Sequence, residues 1–221
     1  MTQPPPDWDT LYQRDTAPPW SIGRPQPELA ALIAGGKVRS EVLDAGCGHA
    51  ELSLALANQG YAVVGLDCSP TAIATATAAA AERGLPSVAF AQADITDFSG
   101  YDGRFSTVMD SGLFHSLPLD RRQDYLRCIL RAATPGAALY LLAFAAQATD
   151  DVNRPGPRGV IEDEFREVVS EFWVVDEVKP AYLYGNVAAL PVPTDVSGLD
   201  RFVDGDHLKM PGFLLSAHKA T

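Results

Sequence analysis

The sequence predicts an α/β domain built on a doubly wound, mostly parallel, seven-stranded sheet, with an arm at the N-terminus lying over one edge. Three observations predict it. Short apolar runs alternate with stretches of helical character from Glu28 to Phe144, the pattern of a parallel sheet wrapped by helices. A glycine-containing turn, Gly46-Cys47-Gly48, joins the first strand directly to a helix, as ligand-binding sheets of this kind require. The first 27 residues hold Pro4, Pro5, Pro6, Pro18, Pro19, Pro25 and Pro27 among Trp8, Tyr12 and Trp20. So much proline precludes regular structure over most of that stretch. Two tryptophans and a tyrosine are nevertheless unusual in disorder, so residues 1–27 are read as an arm packed on a domain of residues 28–221.

Within the domain, Glu28 to Ala34 reads as a short helix, with Pro27 near its first turn and Gly35-Gly36 ending it. Val42 to Ala45 is the first strand, followed by a helix from Ala50 to Gln59 that Gly60 stops. The second strand covers Ala62 to Leu66. Ser69 and Pro70 supply an N-cap and a first-turn proline for an Ala-rich helix that runs to Arg83. Val88 to Gln92 and Phe105 to Met109 are the third and fourth strands. Asp120 to Ala133 is a helix with Tyr125, Leu126, Ile129 and Leu130 on one face. Ala138 to Phe144 is apolar throughout, as a strand covered on both sides should be. Further on come a helix at Ile161 to Phe172, a strand at Trp173 to Val178 and a last strand at Phe213 to His218. Lys179 to Lys209 carries no decodable pattern, and its options are a cap on the pocket or a contact between subunits.

At 221 residues a chain buries about 70% of its unfolded surface and needs no staple. The composition is globular, 47% hydrophobic and 20% charged, with a formal net charge of −11. That charge repels phosphate backbones and anionic lipid, so nucleic acid and membrane are not expected partners. No segment is long and apolar enough to span a bilayer, and no secretory leader is visible. Cys47, Cys68 and Cys128 form no CxxC pair, and the four histidines show no ligand spacing. A reduced, cytoplasmic protein without a metal is the expectation.

The chemistry is concentrated at strand ends. Glycines after the first strand let a ligand approach the backbone, and the helix start offers free N–H groups. Asp44, just before that turn, would repel a diphosphate but suits a ligand carrying an ammonium or sulfonium. Asp67 ends the second strand, where a carboxylate can accept hydrogen bonds from ribose hydroxyls. Asp94 follows the third strand, placed to take an adenine amino group while Ile95 covers the ring. Any one of these acids could be a solvated strand end. Together they converge on the crevice at the carboxyl edge of the sheet.

At this point the chain resembles a known family. Val42-Leu43-Asp44-Ala45-Gly46-Cys47-Gly48, Gly65-Leu66-Asp67-Cys68-Ser69-Pro70 with Ala72-Ile73, Ala93-Asp94, and Ala133-Thr134-Pro135-Gly136 are similar to the successive motifs of class I S-adenosylmethionine-dependent methyltransferases. Ala50 departs from the pattern, standing where many members have a third glycine. The resemblance implies a Rossmann-like fold and S-adenosylmethionine as cofactor. Trp8-Asp9-Thr10-Leu11-Tyr12 and Pro19-Trp20-Ser21-Ile22-Gly23-Arg24-Pro25-Gln26-Pro27 are similar to the arm of the thiopurine and halide/thiol methyltransferases, which folds over the cofactor and closes the acceptor pocket. Phe105 to Pro118 resembles actinobacterial members that methylate heterocyclic toxins such as hydroxyquinolones. A small aromatic acceptor, methylated on O, S or N, is therefore expected, with detoxification or biosynthesis as the role.

The cofactor set on this reading is Trp20, Asp44, Gly46, Cys47, Gly48, Asp67, Cys68, Asp94, Ile95, Asp110 and Ser111. The acceptor set is Trp8, Tyr12, Arg24, His115 and Arg158, the last from the loop Gly156-Pro157-Arg158-Gly159. His115 is the one candidate general base, since an imidazole near the carboxyl edge titrates near neutrality; a packing histidine is the plain alternative. Acidic acceptors need little base catalysis, so no dedicated base is required. Ala17-Pro18-Pro19-Trp20 has alanine where an amino-group methyltransferase motif needs a polar residue, and it precedes the first strand. Two other functions remain open, a nicotinamide-dependent oxidoreductase and a non-catalytic cofactor-binding module. Either a monomer or a homodimer fits.

Overall fold

The computed structural model describes residues 7–14, 16–146, 158–187, 202–205 and 207–221. The prolines at 4 to 6, the first half of the 156–159 loop and much of the 179–209 stretch lie outside these. In chain order the elements are α1 (Trp8–Tyr12), α2 (Pro27–Ala34), β1 (Val42–Ala45), α3 (Glu51–Asn58), β2 (Val63–Asp67), α4 (Pro70–Glu82), β3 (Val88–Gln92), β4 (Phe105–Ser111), α5 (Arg122–Ala132), β5 (Ala133–Phe144), α6 (Glu162–Ser170), β6 (Val174–Asn186), β7 (Val203–Asp204) and β8 (His207–His218).

The strands form one sheet in the order β3-β2-β1-β4-β5-β8-β6, with the short β7 beside β8. From β3 through β5 all neighbours are parallel, while β8 runs antiparallel between β5 and β6. Seven strands make the continuous sheet, and its order reverses direction at β1, leaving a crevice between the carboxyl ends of β1 and β4.

Strand periodicity sorts the core into two layers. Leu43 and Ala45 of β1 face one way, with Val64, Val108, Leu139 and Leu141, onto Tyr125, Leu126 and Ile129 of α5 and Phe165 of α6. Val42 faces the other way, with Val63, Met109 and Leu142, onto Leu29 and Ile33 of α2 and Leu52 and Leu56 of α3. Helix α4 lies close because its inner positions are only alanines: Ala76 and Ala80 pack with Ala50 and Leu54. Its start is fixed as the sequence predicts, by Ser69 accepting a hydrogen bond from the Ala72 N–H and by Pro70 in the first turn.

Several elements differ from the sequence reading. The arm contains a turn of helix, α1, over a stretch free of proline and capped by Asp7. Strand β6 continues past Val178 to Asn186, and β8 begins at His207, so part of the undecoded 179–209 stretch is a paired antiparallel ribbon. Prolines 180 and 211 and alternating polar residues concealed it. Strand β4 also runs two residues further than expected, to Ser111, which carries Asp110 inside the sheet.

Candidate active site

The turn after β1 is built on left-handed backbone. Gly46 has φ +68° and Gly48 φ +51°, conformations that glycine adopts without the clash a Cβ would bring. Space is also restricted. A Cβ on Gly46 would lie 3.0 Å from Leu113, and one on Gly48 would lie 2.6 Å from the hydroxyl of Tyr12. Ala50 is likewise left-handed, at φ +67°. Its methyl is fully buried against Leu54, Ala76 and Ala80, and about 0.8 kcal/mol from that burial offsets much of a left-handed cost of roughly 1–2 kcal/mol.

Asp67 ties two turns together. One carboxylate oxygen accepts the Gly48 N–H at 2.9 Å and the other accepts the Ser69 N–H at 2.9 Å. Burial pushes its pKa up, opposed by those two backbone donors. Each oxygen keeps a further lone pair for a hydroxyl. Cys47 is buried and Cys68 is exposed, both as free thiols.

Asp44 stands beneath the turn rather than in the open cleft. It is 1% exposed and accepts a hydrogen bond from Ser53 Oγ at 2.6 Å. Burial raises its pKa to about 7, against the pull of that bond. Asp94 is the opposite case. Its side chain is 62% exposed and lies 3.5 Å from Arg121, and it accepts the Thr96 N–H at 2.8 Å. Slight burial raises its pKa, but the Thr96 hydrogen bonds and the Arg121 charge outweigh this and the net shift is downward. Ile95, expected to cover a ring, is buried in the core among Leu66 and Phe98.

Asp110 is corrected from cofactor contact to anchor. It is fully buried, and its oxygens accept the Leu113 N–H at 2.7 Å, the Phe114 N–H at 3.0 Å and the Tyr125 hydroxyl at 2.9 Å. It thereby holds the turn 113–116 against β4. Ser111, next in the strand, remains half-buried at the edge.

His115 is corrected as a general base. Its ring is 4% exposed, and burial, helped by the Arg122 charge, lowers its pKa to about 3. Its Nδ1 faces the Phe144 N–H at 3.4 Å. A base that weak does not take a proton from an ordinary hydroxyl at neutral pH. Arg158, exposed, comes to the same place through its backbone, its N–H donating to the His115 carbonyl at 3.0 Å.

The arm is held at both ends. Asp9 accepts the Ser69 hydroxyl at 2.5 Å and the Thr71 N–H at 3.1 Å, at the start of α4. At the far end, the Gln26 side chain accepts the Tyr184 N–H at 2.7 Å and donates to the Tyr184 carbonyl at 2.9 Å, pairing like a strand with β6. Pro19 adds a carbonyl that accepts the Asn186 N–H. Between these ends Trp20 sets its ring edge-on to Trp8, at 5.8 Å, and to Tyr12, at 6.1 Å, and Tyr12 lies 5.0 Å from the His49 ring. Trp20 is 39% exposed; Arg24 is exposed. Sequence reasoning missed Asp9, Gln26, Ser53 and Tyr125. Only Ser53 had a signal, a lone hydroxyl between Leu52 and Leu54 on an apolar helix.

A separate cleft of about 440 Å³ lies between the segment after β3 and α5. Its arginines are matched by acids, Arg121 with Asp94, Arg127 with Asp124 and Arg131 with Asp102, and it lacks the glycine turn.

Residues 42–136 match a methyltransferase-domain family. A 2-heptyl-1-hydroxyquinolin-4(1H)-one methyltransferase of Mycobacteroides abscessus is 49% identical over 208 residues, covering 91% of this chain and 89% of that protein. The chain belongs to the methyltransferase family. A solved structure from work on conversion of a disulfide bond into a thioacetal group during echinomycin biosynthesis is similar at 32% identity and TM-score 0.81, covering 96% of this chain and 91% of the other. The Burkholderia thailandensis 1,6-didemethyltoxoflavin-N1-methyltransferase, solved with its acceptor and S-adenosylhomocysteine, shares the fold at 20% identity and TM-score 0.65, over 88% and 77% of the two chains.

This methyltransferase depends on S-adenosylmethionine, and the nicotinamide alternative is set aside. The residues present fit the cofactor. Segments 44–50 and 67–70 carry acids and glycines but no lysine or arginine, which suits a sulfonium and a ribose and not a diphosphate. No helix among the described residues is long and apolar enough to cross a membrane.

Proposed function

We propose that this methyltransferase acts on O, S or N of a small aromatic heterocycle with an acidic hydroxyl or thiol, as a hydroxyquinolone has. The observation that carries this reading is the arm fastened at both ends across the carboxyl edge, from α4 to β6. A strap in that position leaves room for a compact acceptor and obstructs a polymer. The Mycobacteroides relative, which covers most of the chain, acts on an acceptor of this class, and the net charge of −11 disfavours nucleic acid.

S-adenosylmethionine, when bound, supplies an electrophilic methyl on a sulfonium. The protein aligns the partners and excludes water, and alignment is worth up to ~7–11 kcal/mol in ideal cases. Asp67 holds ribose hydroxyls, Asp94 an adenine amino group, and the Gly46–Gly48 turn the amino-acid end, with Asp44 beneath it. Trp8, Tyr12 and Trp20 line the roof, where aromatic faces attract a cation by ~0.5–2 kcal/mol. Residues 1–27 act as the cover and 28–221 as the catalytic domain. The setting is cytoplasmic and metal-free.

The test is a labelled-methyl screen across hydroxyquinolones, phenols, thiols and iodide, with RNA and protein as controls. Transfer to a hydroxyquinolone or another acidic heterocycle is expected. Transfer to RNA or protein alone would overturn the substrate class, and binding of cofactor without any transfer would leave a non-catalytic module.

A further inference from the structure

The ring of His115 is oriented by the backbone around it. The Phe144 N–H has only a proton to offer, so Nδ1, facing it at 3.4 Å, must be the acceptor. In a neutral imidazole the proton then resides on Nε2. Burial keeps the ring neutral, and the Arg122 charge beside it further disfavours an imidazolium, while Asp110 and Glu164 act on Arg122. No described residue accepts a hydrogen bond from Nε2, on a side chain that is 96% buried by its 4% exposure.

The ring is placed by its neighbours. Cε1, the ring atom between the two nitrogens, stands 3.3 Å from where a Cβ on Gly112 would be, and Leu183 of β6 lies 3.7 Å from the same point. The ring therefore lies at the carboxyl end of β4, beside Gly112 and Leu183 and one residue on from the pair Leu113-Phe114 that covers the Gly46 turn through Leu113. Three ties hold it there. Asp110 fixes the Leu113 and Phe114 N–H groups, the Arg158 N–H holds the His115 carbonyl, and Arg122 reaches that carbonyl and the one of Arg158 while stacking 4.8 Å over Phe114.

We propose that His115 is a specificity residue whose Nε2–H donates a hydrogen bond to an oxygen of the acceptor other than the atom that is methylated. This rests on the small-acceptor reading above. It selects acceptors whose conjugate base shares its charge between two heteroatoms, as a hydroxyquinolone does between its hydroxyl oxygen and its ring carbonyl. The acceptor loses its proton to solvent before transfer. Its hydroxyl oxygen then forms the new bond to the methyl carbon, and the carbon–sulfur bond breaks with its electron pair remaining on sulfur. Anion and sulfonium become a neutral ether and a neutral thioether, and His115 gains and loses no proton.

Two substitutions separate this role from packing, because an asparagine amide overlays Nδ1 and a glutamine amide overlays Nε2. Binding of a hydroxyquinolone to the complex with S-adenosylhomocysteine is measured by calorimetry, beside a phenol of matched acidity that lacks the second oxygen. His115→Asn should weaken hydroxyquinolone binding roughly 10- to 100-fold, the range for a hydrogen bond to a charged group, and leave the phenol unchanged. His115→Gln should stay within about 3-fold of wild type for both, on the same scale. Equal losses in the two variants, or no loss in His115→Asn, would overturn the proposal. Imidazole nitrogen resonances of the wild-type protein provide a test without substitution: the proton belongs on Nε2 and its resonance should move when the hydroxyquinolone binds, whereas a proton on Nδ1 or an unmoved resonance refutes the role. If wild type neither binds nor methylates any acidic heterocycle, the small-acceptor reading itself fails; if it does both and His115→Asn is indistinguishable from it, only the role of His115 fails.

Discussion

The hydroxyl of Tyr12 stands 2.6 Å from the point where a side chain on Gly48 would begin. The arm and the glycine turn are thus matched at one spot, and Tyr12 feels the nearby Asp67 electrostatically as well. Burial first, and the Asp67 charge second, push its phenol far above the usual range, so it remains a neutral donor.

Replacing Gly48 by alanine should therefore damage two things together. The left-handed backbone costs roughly 1–2 kcal/mol with a Cβ present, and the methyl displaces Tyr12. Thermal unfolding should shift downward and calorimetry should show weaker binding of S-adenosylhomocysteine. Unchanged values for both would mean the arm does not rest on this turn.

Asp67→Asn keeps one accepting oxygen and turns the other into a donor facing the Gly48 or Ser69 N–H. Loss of a hydrogen bond to a charged acceptor is worth about 1.5–3 kcal/mol. Cofactor affinity should fall roughly 10- to 100-fold on that basis, while kcat at saturating cofactor changes less. An affinity equal to wild type would remove Asp67 from the binding set.

Gln26 is 6% exposed and satisfies both backbone groups of Tyr184. Gln26→Ala leaves that N–H and carbonyl without their partner, at about 1–3 kcal/mol. Hydrogen exchange should quicken at the Tyr184 amide and along the arm, with the KM for the acceptor rising more than that for the cofactor. Unaltered exchange would show that the far end of the strap is held by other contacts.

Asp110 gives a dependence on pH. Burial raises its folded-state pKa to about 7 from the ordinary 3.8 of a free carboxyl. Between those values the folded carboxyl keeps its proton and the unfolded one has lost it, so its contribution is full below pH 3.8 and declines as pH rises toward 7, by up to ~1.4 kcal/mol per unit. Asp44 acts in the same direction. Denaturant unfolding of wild type should show stability falling from pH 4 to 7, and Asp110→Asn should flatten part of that slope. Parallel slopes would assign the dependence elsewhere.

The parallel half of the sheet was legible because its signals are local. Apolar runs mark β1 to β5, and Ser69 with Pro70 marks the start of α4. The acids and glycines at strand ends pointed to the crevice for the same reason. The two corrected residues depend on long-range partners. Asp110 is an anchor because Tyr125, fifteen residues on, donates to it, and His115 is neutral because the fold buries it beside Arg122. The Gln26 pairing spans 158 residues and has no trace in the sequence.

Strand β8 follows β6 in sequence but is inserted between β6 and β5. On a ribosome, then, β6 emerges with no neighbour to join, and the Tyr184 backbone that receives Gln26 is out of place until β8 has been synthesised. The fastening of the arm to β6 is the last part of this fold to be completed, so a stalled or prematurely released chain has the glycine turn after β1 but nowhere to secure the arm.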